Sequence, residues 1–386
     1  MNRNHVHIAL LFCCIVLISS CKRDLTPIGP AYKMPTSNFT LTADLKADLS
    51  TVNFSVDPIE KQFFTASFSE EVSWTLTLTG LNSGAEKKFR GLSNKLDISN
   101  TEWTGKHDVL YFFRTEDVVA SLSFVGSDLL FTDTFHVDYP RKWDVLGKVV
   151  TVLDFETAPG ATKFLYSFFD GTPNRQPTYK ITDSVGSDMN SGANNRIQSV
   201  IRDLDGGIIT SERKGSIEGD KLYRMAGHDG AYSGDGASSN FIGGAGMPKT
   251  PFYALDSNPE NVYFNIYVYG TGDKNSKLVV NFAEDDDDAD LIATSGLRAD
   301  NYVPLEDEYE FGIQVDWVGW KLVSGKYSGF PLTTDGAKAR NGNKKREPHH
   351  IGKIGVVLLA TTTGQKACVN FDFATFTMGK PFNPQD

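Results

Sequence analysis

The sequence predicts an all-β protein made of two sandwich domains in series. Three observations carry that expectation. Apolar and polar residues alternate with period two in many short segments, clusters of Gly, Asn, Asp and Pro separate them, and almost no stretch repeats its apolar residues at helical spacing. At 386 residues the chain is long enough to bury two cores.

The N-terminus reads MNRNHVHIALLFCCIVLISSC. Arg3 gives a small positive n-region, and residues 8–18 form an unbroken apolar run. A bilayer span takes about 20 apolar residues, so this shorter run reads as the h-region of a secretory signal over residues 1–20. Ser19 and Ser20 lead directly into Cys21. That order resembles the lipobox of bacterial lipoproteins, which implies lipidation of Cys21 and a protein tethered to the membrane without spanning it. The plainer alternative is an ordinary signal peptide with an incidental cysteine. Residues 21–35 are rich in Pro and polar side chains and read as a tether.

Of the four cysteines, Cys13 and Cys14 leave with the signal and Cys21 takes the lipid, so Cys368 stands alone and no intrachain disulfide is expected. The formal net charge is −10 with no basic stripe to offset it, which argues against a nucleic-acid partner. The basic run KARNGNKKR at 338–346 is rich in Gly and Asn and reads as a solvated loop.

Residues 36–140 hold the segments FTLTADL, FFTASFS, VSWTLTLTGL, VLYFFRTE, VASLSFVG and TDTFHVDY, each expected to be a strand. In VSWTLTLTGL, Trp74, Leu76 and Leu78 share one face and Ser73, Thr75, Thr77 and Thr79 the other, the pattern of a half-buried sandwich strand. This density of strands resembles an immunoglobulin-like sandwich without the cysteine pair. YPRKWDVLGK has Pro, charge and no alternation, and it places a linker at 141–148.

The second block, 149–380, opens on VVTVLDFE and closes on KIGVVLLATTTGQKACVNFDFATFTM. Between them NVYFNIYVYGTGDKNSKLVVNFAEDDD predicts a β-hairpin across the turn GTGDKNS. The order LDFE, a Gly-rich region ending NFIGGAG, the Tyr-rich segment, VDWVGWKLV, YSGF and VNFDFATF is similar to the galactose-binding-like jelly roll, the fold of many non-catalytic carbohydrate-binding modules. Lipidated cysteine, spacer and distal jelly roll together resemble surface glycan-binding lipoproteins of bacterial polysaccharide-utilisation systems. The resemblance implies a polysaccharide or oligosaccharide ligand, a lipid anchor in the outer membrane, a cell-surface location and association with an outer-membrane glycan importer.

Sugars are held by aromatic faces and by amide, carboxylate and guanidinium groups on their hydroxyls. Val262, Phe264, Ile266 and Val268 alternate with Tyr263, Asn265, Tyr267 and Tyr269, which predicts an outward tyrosine face. That face is a sugar platform or a second packed layer under loops or the first domain. Asn281 faces outward on the partner strand. In YEFGIQVDWVGWKLV, Trp317 falls in phase with Tyr309, Phe311, Ile313 and Val315 and is expected in the core. Glu310 and Gln314 lie on the polar face, and Gly319 leaves the side of Trp320 open. Arg224 and Tyr232 are further sugar-binding candidates from the glycine-rich loops, with His228, Asp229, Tyr327, His349 and His350 behind them.

The jelly-roll resemblance also implies a structural calcium, with Asp154, Glu156 and Asp372 at the matching positions; three strand-end surface carboxylates are the alternative. EDDDDADL at 284–291 starts with EF-hand spacing at Asp286, Asp288 and Asp290, but Leu291 and Leu297 stand where Gly and Glu are required. The run reads as a solvated acidic turn. No nucleophile, zinc or Walker motif is present, and a non-catalytic binder is expected. A glycan hydrolase or lyase on the same fold, or an adhesive envelope protein, are the alternatives.

Overall fold

The computed structural model describes residues 32–144, 148–156, 166–167, 196–210, 215–228, 241–246, 252–285, 307–333, 342–361 and 366–385. Cys21, most of the tether, Asp229, Tyr232 and the acidic run at 286–290 lie outside the described residues. No helix among the described residues is long and apolar enough to cross a membrane.

The protein is all-β, as its alternation predicts. The N-terminal part contains β1 (Leu41–Ala47), β2 (Thr51–Asn53), β3 (Phe64–Gly80), β4 (Glu86–Leu96), the short helix α1 (Ile98–Thr101), β5 (Glu116–Phe124) and β6 (Leu130–Tyr139). They form one six-stranded sheet in the order β1-β3-β5-β6-β2, with β4 also on β3. Two segments expected as separate strands are the single long β3, whose first half pairs β1 and whose second half pairs β5. Trp74, Leu76 and Leu78 are buried with Val118, Ala120, Leu122, Phe135 and Trp103. Full burial of each large apolar side chain stabilises the fold by about 1.5–3 kcal/mol.

VLYFFRTE does not form the expected strand over its length, since β5 starts only at its last residue, Glu116. Phe113 enters the N-terminal core, whereas its neighbour Phe112 packs against the C-terminal part. A segment with adjacent anchors in two cores takes an irregular path.

The C-terminal part is a two-sheet sandwich. One sheet has the order β15-β12-β17-β10-β9, with β7 also on β17, and we name it sheet II. Its strands are β7 (Val149–Leu153), β9 (Arg196–Gln198), β10 (Leu222–His228), β12 (Val262–Thr271), β15 (Val318–Lys326) and β17 (Lys366–Met378). The other, sheet III, has the order β14-β13-β16-β11-β8. It holds β8 (Tyr166–Ser167), β11 (Phe241–Gly246), β13 (Ser276–Glu284), β14 (Asp307–Val315) and β16 (Ile351–Ala360). Phe264, Ile266 and Val268 of β12 meet Leu278, Val280 and Phe282 of β13 across the core.

The expected β12–β13 hairpin is therefore corrected. The two strands are consecutive, but β12 pairs β15 and β17 whereas β13 pairs β14 and β16. The link crosses from one sheet to the other, and so do the links β14–β15 and β16–β17. Asp273 shapes the first crossing by accepting from the backbone of Asn275 (2.8 Å) and Ser276 (3.1 Å). Gly270 is required there, because a Cβ would strike the Trp317 carbonyl in the neighbouring crossing.

Candidate functional site

The predicted tyrosine face belongs to sheet II and is not open. Tyr267, Tyr269 and Asn265 are each no more than 2% exposed, and only Tyr263, at the strand start, is half-buried. Phe112, Trp143 of the linker, Ile217, Trp320, Phe373 and Phe382 pack with Tyr267 and Tyr269 as a second apolar cluster. Phe112 meets Tyr267 edge-on at 5.9 Å, and its backbone N–H donates to the Ile217 carbonyl at 3.0 Å. Asn265 Nδ2 donates to Thr377 Oγ1 at 3.0 Å, and its Oδ1 accepts from Phe382 N at 2.9 Å. These contacts satisfy the buried amide. The outward-face expectation for Tyr263, Asn265, Tyr267 and Tyr269 thus gives way to a seam between the two parts. Two χ-rigid aromatics and a satisfied amide serve that seam as well as they would a sugar.

The two tryptophans separate. Trp317 is half-buried and packs against the main core, as its phase predicts. Trp320 joins the seam and donates from Nε1 to the Gly215 carbonyl at 3.1 Å. Arg224 is also buried on sheet II, donating from Nη2 to the Asp203 carbonyl at 2.8 Å, so it is no loop contact. Tyr327 is buried and donates to Glu284 Oε1 at 2.7 Å. The ring Nδ1 of His350 lies 2.9 Å from the Asp285 carbonyl.

Three predicted residues do come together, on the outer face of sheet III. Asn281 of β13 pairs with Glu310 of β14, and Lys277 pairs with Gln314. Backbone pairing continues the first row from Asn281 to Gly355 and Gly246 and on to Tyr166, and a second row runs Gly312, Val279, Val357, Gly244. Lys277 Nζ and Glu310 Oε1 lie 3.7 Å apart, and both side chains reach over Gly312. Gln314 is exposed, Glu310 and Lys277 are half-buried, and Asn281 and Lys353 are buried. Same-face neighbours stand about 4.8 Å apart across strands and about 6.8 Å along them, the scale of successive hydroxyls on a sugar ring. Lys277 and Lys353 escaped sequence reasoning because a lysine on an alternating strand carries no signal of its own.

The predicted calcium residues share one negative region beside the seam. Asp372 is fully buried; Ile217 N (2.6 Å) and Glu218 N (3.0 Å) donate to its Oδ2 and Phe373 N (2.8 Å) to its Oδ1. Burial nevertheless pushes its pKa up to about 8, with Glu156 adding repulsion. Glu156 Oε1 accepts from Asp220 N (2.8 Å) and Lys221 N (2.5 Å), and Gly219 is fixed because a Cβ would run into that carboxylate. Crowding that desolvates its carboxyl raises Glu156 to about 7, Asp220 and Asp154 contributing, but the residue is exposed, so solvent screens part of this and Asp372 is the firmer case. Glu218, which the sequence did not reveal, is raised by burial and by Asp372, Glu156 and Asp154; Arg114 opposes this. Arg114, from the N-terminal part, donates to Asp220 Oδ1 (2.8 Å) and to Ser216 O (3.1 Å) and Oγ (3.0 Å).

The donors are hard oxygens, as calcium requires, and Glu218 Oε2 is buried with no hydrogen-bond partner among the described residues. Their chemistry fits a divalent cation. No three His, Cys, Asp or Glu side chains among the described residues converge closely enough to ligate one ion. Both Asp372 oxygens are engaged by backbone N–H groups.

A further acidic group closes one end of sheet III; Glu284 and Asp285 open the EDDDDADL run, and their burial corrects its reading as a solvated acidic turn at those two positions. Glu284, Asp285, Asp307 and Glu308 are all buried, and Glu284 pairs with Asp307 across the β13–β14 ladder. Lys344 N donates to Asp307 at 2.6 Å and Glu347 N to Glu284 at 2.8 Å. They tie the 342–347 segment to the sheet.

No family model and no curated protein matches this chain. Among solved structures, it is similar to the family 11 carbohydrate-binding module of Clostridium thermocellum in complex with a β-1,3-1,4-mixed-linked tetrasaccharide. That match has a TM-score of 0.31 at 10% identity and covers 60% of this chain and 95% of the module. It is similar to SGBP-B from a complex xyloglucan utilization locus in Bacteroides uniformis, with a TM-score of 0.28 at 10% identity over 88% of this chain and 73% of that one. A tandem family 22 module from Paenibacillus barcinonensis Xyn10C matches with a TM-score of 0.27 at 9% identity over 91% and 96%. At such scores and identities these similarities assign no residue and no ligand to this chain.

Proposed function

We propose that this protein is a non-catalytic glycan-binding protein of the cell envelope, holding polysaccharide on the outer face of sheet III. The observation that carries the reading is the accessible β13–β14 edge of that face, where half-buried Glu310 and Lys277 and exposed Gln314 stand beside buried Asn281. A carboxylate, an exposed amide and an ammonium stand there at sugar-hydroxyl spacing. The described tyrosines of β12 supply no platform, so hydroxyl hydrogen bonding takes the place of the stacking expected there. The N-terminal part is an immunoglobulin-like spacer, fixed to the sandwich through the aromatic seam.

Hydrogen bonds to charged groups contribute about 1.5–3 kcal/mol each and neutral ones about 1. A few such contacts give single-site binding between about millimolar and micromolar, or roughly −4 to −8 kcal/mol. Many tethered copies on one long glycan then raise the overall avidity. Affinity electrophoresis through a panel of neutral polysaccharides is the test. At least one polysaccharide should retard the protein, and Gln314→Ala should weaken retardation about fivefold. Free migration through every gel rejects the reading.

The lipobox-like LISSC supports lipidation at Cys21, while an outer-membrane location and association with a glycan importer rest on the resemblance to surface glycan-binding lipoproteins. Metabolic labelling with palmitate should mark the parent protein but not Cys21→Ser, and equal labelling of the two contradicts the anchor. Asp154, Glu156, Glu218 and Asp372 would hold a calcium ion only by drawing closer together than they stand here. Its charge would neutralise the cluster and tie the first strand of the sandwich to the last, so added calcium should raise the melting temperature.

A further inference from the structure

A cleft of about 340 Å³ lies where the linker meets the last residues of the chain. That volume is at the small end of the range for ligand sites, about 300–1,000 Å³. Its lining is unusual for a protein of net charge −10: Arg141, Lys148 and Lys380 line it, and no carboxylate among the described residues does. Lys148 and Lys380 are exposed. Arg141 is held more firmly. Its guanidinium lies 5.0 Å from the centre of the Trp143 ring, and Nη1 donates to the Thr104 carbonyl at 3.0 Å. Its Nε is buried and has no hydrogen-bond partner among the described residues. Burial lowers the pKa of this arginine, as expected of a cation withdrawn from water with no acid against it. Asp144 is the nearest acid along the linker, and its Oδ1 accepts from Thr151 N at 2.5 Å.

The same lining carries apolar surface from Val149, Met378 and Pro381. Trp143 and Phe382, packed edge-on at 5.3 Å, make its base rigid. Cations and C–H surface in one cleft suit a small ring that carries a negative group. A bare inorganic anion would leave the apolar wall unused, and a neutral sugar would leave Arg141 unmatched.

We propose that this cleft is a second ligand site, separate from sheet III, and that it takes an anionic sugar residue. Arg141, Lys148 and Lys380 meet the carboxylate or sulfate group, and Val149, Met378 and Pro381 meet the C–H face of the ring. The position of the site rests on the cleft alone, while the choice of a sugar rests on the glycan-binding reading. A uronate and a sulfated sugar share this chemistry.

The test is calorimetric titration of the full chain with glucuronate, glucose 6-sulfate, glucose and inorganic sulfate, repeated on the exposed pair Lys148→Ala/Lys380→Ala. Glucuronate, glucose 6-sulfate or both should bind about tenfold more tightly than glucose and than inorganic sulfate, and the double variant should lose about tenfold. Binding of glucuronate alone assigns a carboxylate ligand, and of glucose 6-sulfate alone a sulfate ligand. Failure of both to bind, equal binding of glucose, inorganic sulfate binding as tightly as either sugar, or an unaffected double variant overturns the proposal. Retardation by neutral polysaccharide should be unchanged in the double variant. Its absence in the parent would reject the sheet III reading and leave glucuronate binding at the cleft standing.

Discussion

Replacing Tyr267 with alanine should destabilise the protein by about 3–5 kcal/mol, the usual cost of deleting a buried aromatic side chain. In a chain of this size that lowers the melting temperature on the order of 10 °C. The physical reason is the seam. Tyr267 is 1% exposed, meets Phe112 of the N-terminal part at 5.9 Å and shares a cluster with Trp143, Trp320 and Phe382. Tyr267→Phe keeps the ring and should cost less than about 1.5 kcal/mol. Phe112→Ala should be comparably destabilising, and the double variant should fall short of the sum by about 0.5–1.5 kcal/mol, because the two rings touch. Thermal and urea unfolding measure all of these. A Tyr267→Ala protein as stable as the parent, but with weakened glycan retention, would return the tyrosine face to a binding role.

The carboxylate cluster should make stability fall as pH rises, in the presence of a chelator. Desolvation raises the folded-state pKa of Asp372 to about 8 and of Glu156 to about 7, and raises Glu218 as well. In the unfolded chain these groups titrate near the ordinary 3.8 and 4.5. Between the unfolded and folded values the folded protein binds more protons than the unfolded one, so stability decreases with pH across that window. It is fully present below about pH 4 and lost by about pH 8. The melting temperature should drop by about 5–10 °C between pH 5 and pH 8. Calcium should restore most of that loss at pH 8 and change little at pH 5, where the acids are protonated.

Asp372→Asn should flatten the profile. It should also be less stable than the parent at pH 5, since an amide NH₂ cannot accept from both sets of backbone N–H groups that hold the two carboxylate oxygens. A melting temperature that rises from pH 5 to pH 8 in chelator contradicts this account. Equal calcium effects at both pH values contradict the ion site.

Much of the fold was legible because one-sided burial leaves a period-two trace. Trp74, Leu76 and Leu78 in β3, and Tyr309, Ile313, Val315 and Trp317 around β14, fall where their phase puts them. The trace disappears where both faces of a strand are covered. In β12 the core-facing Phe264, Ile266 and Val268 alternate with the seam-facing Asn265, Tyr267 and Tyr269, all of them buried. Alternation there marks two interfaces and no open face. The β12–β13 link looked like a hairpin because Gly272–Asn275 has turn chemistry, yet turn chemistry fixes only a change of direction and leaves open which strand becomes the partner.

The candidate site was legible in its parts and not in its assembly. Asn281, Glu310 and Gln314 each stood on a polar face, but only the β13–β14 register sets Asn281 opposite Glu310. It also places them on sheet III, apart from the tyrosines of β12 on sheet II. Glu218 gave no signal in SIEGD, because a single acid beside glycine is ordinary loop composition. Its environment comes from Asp372 and Arg114, which are remote in sequence.

The most direct measurement compares the two faces of the sandwich on one retarding polysaccharide. The variants are Glu310→Ala/Gln314→Ala on sheet III and Tyr263→Ala at the half-buried start of the tyrosine face, both at sites where the fold should survive. Retention should fall at least about tenfold in the sheet III double variant, as expected for the loss of one charged and one neutral hydrogen bond, and should be unchanged in Tyr263→Ala. Full retention in the double variant, with loss in Tyr263→Ala, would contradict the assignment of glycan binding to sheet III.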